Sequence, residues 1–156
     1  MSDAAFAALK QTALFGRLGD AHLSLLASLT EIREVPRNEF VFCEGDEGDA
    51  FYIILSGRIR ISRRIAGIGE EALAVLDKGA HFGEMALVDD MPRSADATAH
   101  EAAVLLRLGR RELHDLLFIN RDAAYEVLWA FVRTLSARLR ETGDKLTFLT
   151  VSSRFG

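Results

Sequence analysis

The chain has 156 residues, of which 49% are hydrophobic and 27% charged, proportions that fit one soluble globular domain and not a disordered chain. Nineteen basic against twenty-three acidic residues give a formal charge of −4, which excludes the overall basic field of a nucleic-acid-binding domain. The single cysteine, Cys43, excludes an internal disulfide framework, a cysteine-ligated zinc finger and an iron–sulfur cluster.

The opening MSDAAFAALK carries an early Asp and lacks a basic stretch followed by an apolar one, so no secretory signal is expected. No apolar run is long enough to span a membrane, and a cytoplasmic location is expected. Residues 1–30 read as two short helices. Phe6, Leu9 and Leu14 belong to the first. Asp20 is the expected N-cap of the second, ahead of Leu23, Leu25, Leu26 and Leu29, and Gly16 and Gly19 separate them.

Residues 31–109 change pattern. Glycine recurs at 45, 48, 57, 67, 69, 79 and 83, between short β-type runs: Phe40–Cys43, Phe51–Leu55, Ile59–Ser62, Ala72–Leu76, Ala95–Ala99 and Ala103–Leu108. Arg58 to Ser62 alternates polar and apolar residues with period two. Ser56-Gly57 and Ala66 to Glu70 read as tight turns. Many short strands at this spacing predict an antiparallel β-roll or jelly roll, and with the flanking helices an α+β fold.

Residues 110–150 return to helical period. Arg111–Phe118 forms a short helix. Tyr125, Leu128, Val132, Leu135, Leu139, Thr142, Leu146 and Leu149 then step alternately by three and four, a heptad seam roughly 36 Å long at 1.5 Å per residue. One reading packs this helix along its own domain. The other pairs it with a second copy in a parallel homodimer through residues 125–149, with some packing on the domain. The strictness of the seam favours the second.

The stretch His81 to Ala95 carries the chemistry. Gly83 permits close backbone approach or a positive φ. Glu84-Met85-Ala86-Leu87 reads as a short helix whose first N–H groups favour an anion. Pro92 stiffens the loop ahead of Arg93, whose planar fork suits a phosphate, and Ser94 offers a hydroxyl. A carboxylate at Glu84 beside an anion must be occupied, by Arg93 or by a sugar hydroxyl. Together these residues predict a small pocket for a phosphate and a ribose.

The pattern F-G-E-x-A-L followed by P-R-S-A, at residues 82–95, resembles the phosphate-binding cassette of cyclic-nucleotide-binding domains. Glu44-Gly45-Asp46 and Phe51 to Gly57 resemble that family's glycine-punctuated strands. The likeness runs from about Leu18 to Leu149. It is strongest to the sensor half of catabolite-activator-type bacterial transcription regulators. The resemblance implies that Arg93 neutralises the cyclic phosphate and that Glu84 accepts from the ribose 2′-hydroxyl. Gly83, Met85 and Ala86 then approach through backbone, and Ser94 and Ala95 add donors. It places Ile61 and Leu73 beside the base, and Thr142 against adenine. Thr142 is the one polar residue of the seam, where a polar residue costs stability. Gly143 departs from the family pattern, in which a second hydroxyl often follows. The implied ligand is cAMP in preference to cGMP, although Ser94 leaves guanine open.

The remaining signals are weak. Gly67-Ile68-Gly69 lacks the third glycine of a dinucleotide fingerprint. His22, His81, His100 and His114 are scattered without metal-ligand spacing, so no metal is expected. Cys43 reads as a small packing residue and Asp89-Asp90 as a solvated loop. No nucleophile–base pair is suggested, so no enzymatic activity is expected. After the long helix only six residues follow, too few for a recognition helix, and no DNA binding by this chain alone is expected. The expected function is a non-enzymatic cyclic-nucleotide sensor that relays occupancy through its C-terminal helix, with an effector partner possible. Two alternatives are an interaction module of the same fold that has lost its ligand and the sensor half of a longer regulator. A jelly-roll metal enzyme is opposed by the histidine spacing.

Overall fold

Phe51-Tyr52-Ile53-Ile54-Leu55 is an unbroken apolar run because its strand is covered on both faces. Phe51 and Ile53 join one buried cluster, whereas Ala50, Tyr52 and Ile54 join another, as the two-residue period of a strand requires. The computed structural model, which describes residues 2–155, places this run at the centre of an α+β fold. Helices α1 (Ser2–Lys10) and α2 (Asp20–Ser28) precede β1 (Thr30–Val35), β2 (Phe40–Phe42), β3 (Ala50–Ser56), β4 (Ile59–Ile65), β5 (Gly69–Leu76) and β6 (His81–Phe82). A 3-10 turn at Glu84–Leu87 leads into β7 (Asp96–Ala99), β8 (Ala103–Gly109), α3 (Arg110–Ile119) and α4 (Arg121–Phe155).

The strands form two antiparallel sheets, ordered β1-β8-β3-β6 and β2-β7-β4-β5. This is a β-roll. Val41, Tyr52, Ile54, Ile59, Phe82, Ala97 and Leu105 fill the space between the sheets. On the far side of the first sheet, Leu9, Phe15, Leu23, Leu26, Val127 and Phe131 pack over Phe51, Ile53, Leu106 and Leu108. Phe15 stands edge-on to both Phe51 (5.6 Å between centroids) and Phe131 (6.2 Å). The β4–β5 turn forms at Ala66–Gly69, with positive φ at Gly67 and Gly69, and Pro36 and Pro92 lie outside the regular elements.

Several expectations need correction. Asp20 is not the N-cap of α2. Gly19 occupies that position, its N–H donating to Glu126 Oε2 of α4 at 3.2 Å, while Asp20 receives Lys10 Nζ at 2.9 Å. Strand β1 was not expected, because Thr30-Glu-Ile-Arg-Glu-Val is a sheet edge with solvent on much of both faces. Strand β6 is two residues long. Glu84–Leu87 is a single 3-10 turn and carries no helix dipole of consequence.

Helix α4 is longer than the seam, roughly 53 Å at 1.5 Å per residue. Asn120 Oδ1 caps its start by accepting from the Ala123 N–H at 3.0 Å. The stripe buried against the domain is Ala123, Val127, Ala130 and Phe131, and not the heptad seam. Tyr125, Leu128, Val132, Leu139, Leu146 and Leu149 are exposed, and from Ser136 to Phe155 every residue of α4 is exposed. Phe131 therefore ends the core contact of the helix. Its truncation to Ala is expected to cost about 3–5 kcal/mol of stability, read as a lowered urea midpoint at unchanged slope. A loss under about 1 kcal/mol would show that α4 contributes little to the core.

Candidate nucleotide site

Arg93 is placed by backbone before its side chain does anything. Its N–H donates to Asp46 O and its carbonyl accepts from the Gly45 N–H, each at 2.8 Å. Asp46 Oδ2 accepts from the Cys43 N–H at 2.9 Å, and Asp96 Oδ1 from the Glu44 N–H at 2.6 Å. The Glu44-Gly45-Asp46 turn is thus the mould in which the cassette sets. The Arg93 side chain then runs inward and is only 7% exposed as a residue. Nη2 donates to Ala50 O at 2.7 Å and Nη1 reaches Gly83 O at 3.4 Å. The guanidinium lies over the Phe42 ring, 4.0 Å from its centroid.

The guanidinium is short of negative charge. Its nearest carboxylate, the exposed Asp49, is 3.6 Å from Nη2 and also serves Arg107 at 3.1 Å. Nε is buried without a partner. Burial pulls the Arg93 pKa below its ordinary value, against the opposing pull of Tyr52, Asp49 and Asp46. A buried cation held mostly by neutral carbonyls and an aromatic face is an incomplete electrostatic site, which an anion completes.

Gly83 makes this approach possible. It adopts φ 78°, and a Cβ there would fall 2.7 Å from Arg93 Nη1. The 3-10 turn follows, with Ala86 N–H donating to Gly83 O at 3.2 Å. Glu84 is 7% exposed. Its partner is not Arg93, as one expectation had it, but Arg138 of α4, whose Nη1 binds Glu84 Oε1. His81 Nδ1 lies 3.6 Å from Glu84 Oε2.

These groups face one cavity of about 410 Å³, within the size range of small-molecule pockets, roughly 300–1,000 Å³. Gly83, Glu84, Met85, Ala86, Arg93, Ser94, Ala95 and Ile61 all line it, together with Phe42, His81 and Phe82. Phe82 stacks on Tyr52 at 5.2 Å and meets Phe42 at 5.9 Å, giving the cavity an aromatic floor. Two expected residues are not brought there. Leu73 is 56% exposed at an irregularity of the β4–β5 pairing. Thr142 lies on the fully exposed part of α4, one turn beyond Arg138.

Sequence reasoning missed Phe42, His81 and Arg138. Phe42 carries no motif, and His81 opens the cassette stretch with no role assigned to it. Arg138 precedes Thr142 by four residues, hence shares its helix face, which is the one signal that pointed to it. Among the described residues no helix is long and apolar enough to cross a membrane, and no group of three or more His, Cys, Asp and Glu side chains is placed to hold a metal ion.

Residues 32–120 match the family model of the cyclic nucleotide-binding domain. The cyclic AMP receptor protein of Thermus thermophilus is 36% identical over 142 residues, 91% of this chain and 64% of that protein. The chain therefore spans less than two thirds of that relative's length. The N-terminal domain of a transcriptional regulator from Streptomyces coelicolor superposes with a TM-score of 0.77 at 32% identity, covering 89% of this chain and 94% of that one. The regulatory domain of Toxoplasma gondii PKA, co-crystallised with cAMP, superposes with a TM-score of 0.69 at 30% identity, covering 80% and 46%. With a β-roll that presents Gly83, Glu84 and Arg93 to one cavity, and a family match over most of that roll, this chain belongs to the cyclic nucleotide-binding domain family and resembles the catabolite-activator-type regulators.

Proposed function

We propose that the chain is a cyclic-nucleotide sensor with no chemistry of its own, and that cAMP is its ligand in preference to cGMP. The observation that carries this reading is the buried Arg93, with Nε unpartnered, beside the buried Glu84 on one cavity of about 410 Å³. A ring-closed phosphodiester has one negative charge and two exocyclic oxygens, which suits one guanidinium fork. The ribose 2′-hydroxyl donates to Glu84. Backbone at Gly83, Met85 and Ala86 contacts sugar and phosphate, Ser94 Oγ and the Ala95 N–H donate to the phosphate, and Ile61 walls the base. The base extends towards α4, where Thr142 of this chain or of a second copy meets it, and Leu73 of β5 covers it when the exposed hairpin closes. Binding of cAMP by the Toxoplasma relative, and the name of the Thermus relative, support the choice of adenine.

The signal follows from Arg138. A sugar hydroxyl at Glu84 competes with the guanidinium that now ties α4 to the cassette. Occupancy therefore shifts the preferred position of α4, by no more than the ligand's differential affinity for the two positions. We propose that a second copy covers the exposed seam, giving a parallel homodimer in the cytoplasm, and that the effector lies beyond the helix.

Calorimetric titration with both nucleotides tests the reading. Hydrogen bonds to charged groups contribute about 1.5–3 kcal/mol, so Arg93→Leu and Glu84→Ala each weaken binding by more than about tenfold. Wild-type affinity in both variants overturns the assigned roles, and tighter binding of cGMP than of cAMP overturns the preference for adenine. Analytical ultracentrifugation tests the seam. Leu139→Asp places a charge on the exposed stripe and converts a dimer to a monomer, whereas a wild-type chain that sediments as a monomer at micromolar concentration refutes the pairing.

A further inference from the structure

His81 ends the apolar wall of the cavity and borders a second groove on its other side. That groove, about 520 Å³, is lined by His81 with Arg17, Arg133, Arg138 and Glu141. The His81 ring leans on Phe51 of β3, 5.4 Å between centroids. Its Nδ1 is buried and has no hydrogen-bond partner. Glu84 Oε2 lies 3.6 Å from it, just beyond hydrogen-bond reach, while the other oxygen of the same carboxylate is held by Arg138. Two nitrogen bases thus flank one buried carboxylate, and only one of them is engaged.

The charged groups facing His81 come from three directions. Glu84 approaches from the 3-10 turn with Asp89 just after it, Arg133, Arg138 and Glu141 from α4, and Arg17 from the α1–α2 connection. Arg93 lines the nucleotide cavity as well. Cations outnumber carboxylates around the ring, and Arg138 is the one whose charge lies across Glu84 from it.

We infer that His81 is a positioning residue for Glu84 that trades places with Arg138: when Arg138 leaves the carboxylate, His81 takes a proton from solvent at Nδ1 and donates it in a hydrogen bond to Glu84 Oε2. The bond needs a closure from 3.6 Å to the usual charge-assisted distance of about 2.8 Å. With Arg138 in place the charged imidazole is disfavoured, since burial first and the Arg138 guanidinium second hold its pKa below the ordinary value. Withdrawal of Arg138 removes that repulsion and strips the buried Glu84 of its cation, and both changes raise the proton affinity of His81. The coupling is reciprocal: protons favour the arrangement in which α4 has let go of Glu84. One consequence rests on the nucleotide reading. A ribose hydroxyl that displaces Arg138 draws a proton to His81, so cAMP affinity rises as pH falls.

Two measurements on the full chain separate the inference from that reading. The His81 ring is first followed by NMR across a pH titration of the ligand-free protein, its signals assigned by their absence in His81→Asn. The expected midpoint is below that of an ordinary histidine and moves to higher pH in Arg138→Gln, a half-exposed helix position whose replacement leaves the core intact. An unmoved midpoint overturns the exchange. Calorimetric titration with cAMP at about pH 6, where histidines titrate, is then run in buffers of different ionisation enthalpy. The wild type takes up a fraction of a proton per site, and His81→Asn, which keeps a donor near Nδ1 but cannot titrate, binds with no uptake. Equal uptake by the two proteins overturns the ligand linkage. A wild-type chain that binds no cAMP defeats the nucleotide reading, while the ligand-free titration still decides between exchange and no exchange.

Discussion

The rest of the site depends on one buried charge that the fold leaves short of a counter-charge. Arg93 is driven under the cassette, where carbonyls of Ala50 and Gly83 and the face of Phe42 receive it. Such contacts offset part of the desolvation cost of a cation but do not cancel its charge. The backbone bonds of Arg93, to Asp46 and from Gly45, fix where its side chain starts, and the Ala50 carbonyl and the Phe42 ring hold its guanidinium inside. The β-roll therefore carries a local cost that packing elsewhere must exceed. The two apolar clusters on either side of β3 and β8 are where that stabilisation resides. A stability deficit confined to the point where an anion would sit is what a binding site requires, because the ligand then supplies what the fold withholds.

The second constraint couples this site to α4. Core contact of the helix ends at Phe131, and the next link back to the domain is the Arg138–Glu84 ion pair. Between them lies under two turns of helix, and beyond them the helix is free of the domain. Moving the distal part of α4 disturbs one polar contact and no buried apolar surface. A core contact resists such motion, because interiors are close-packed and transmit strain. The ion pair is exposed on its arginine side but buried at Glu84, so a group that replaces Arg138 must also satisfy the carboxylate. The ion pair joins a carboxylate that lines the cavity to the part of α4 that buries no residue against the domain.

How much of this was legible in the sequence follows from the range of each interaction. The strands were readable because glycine turns and period-two runs are local signals. The cassette was readable because Gly83, Glu84 and Arg93 lie within eleven residues of one another. Strand β1 escaped because an edge strand with solvent on both sides has no apolar pattern to read. The partner of Glu84 escaped because Arg138 is 54 positions away, and its one mark in the sequence is the helix face it shares with Thr142. Asp20 looked like a cap because Asp favours that position, yet Glu126 from α4 had already taken the N-terminus of α2. In each failure a contact distant in sequence overrode a sound local preference.

The heptad seam separates two properties that a pattern alone cannot. Apolar spacing of three and four says that a helix has a face to bury, not what buries it. Here the domain takes Val127 and Phe131, and the seam at Leu128, Val132, Leu135 and Leu139 begins one residue further round, about 100° away. The helix thus presents one stripe to its own β-roll and an adjacent one outward. Arg138 immediately precedes Leu139 of the seam, so the group that holds Glu84 flanks the face that a partner would cover. A partner on that face and a ligand at Glu84 would act on the same few turns of helix. Coupling between them then needs no long path through the β-roll, only that the position of α4 favoured by one differ in free energy from that favoured by the other.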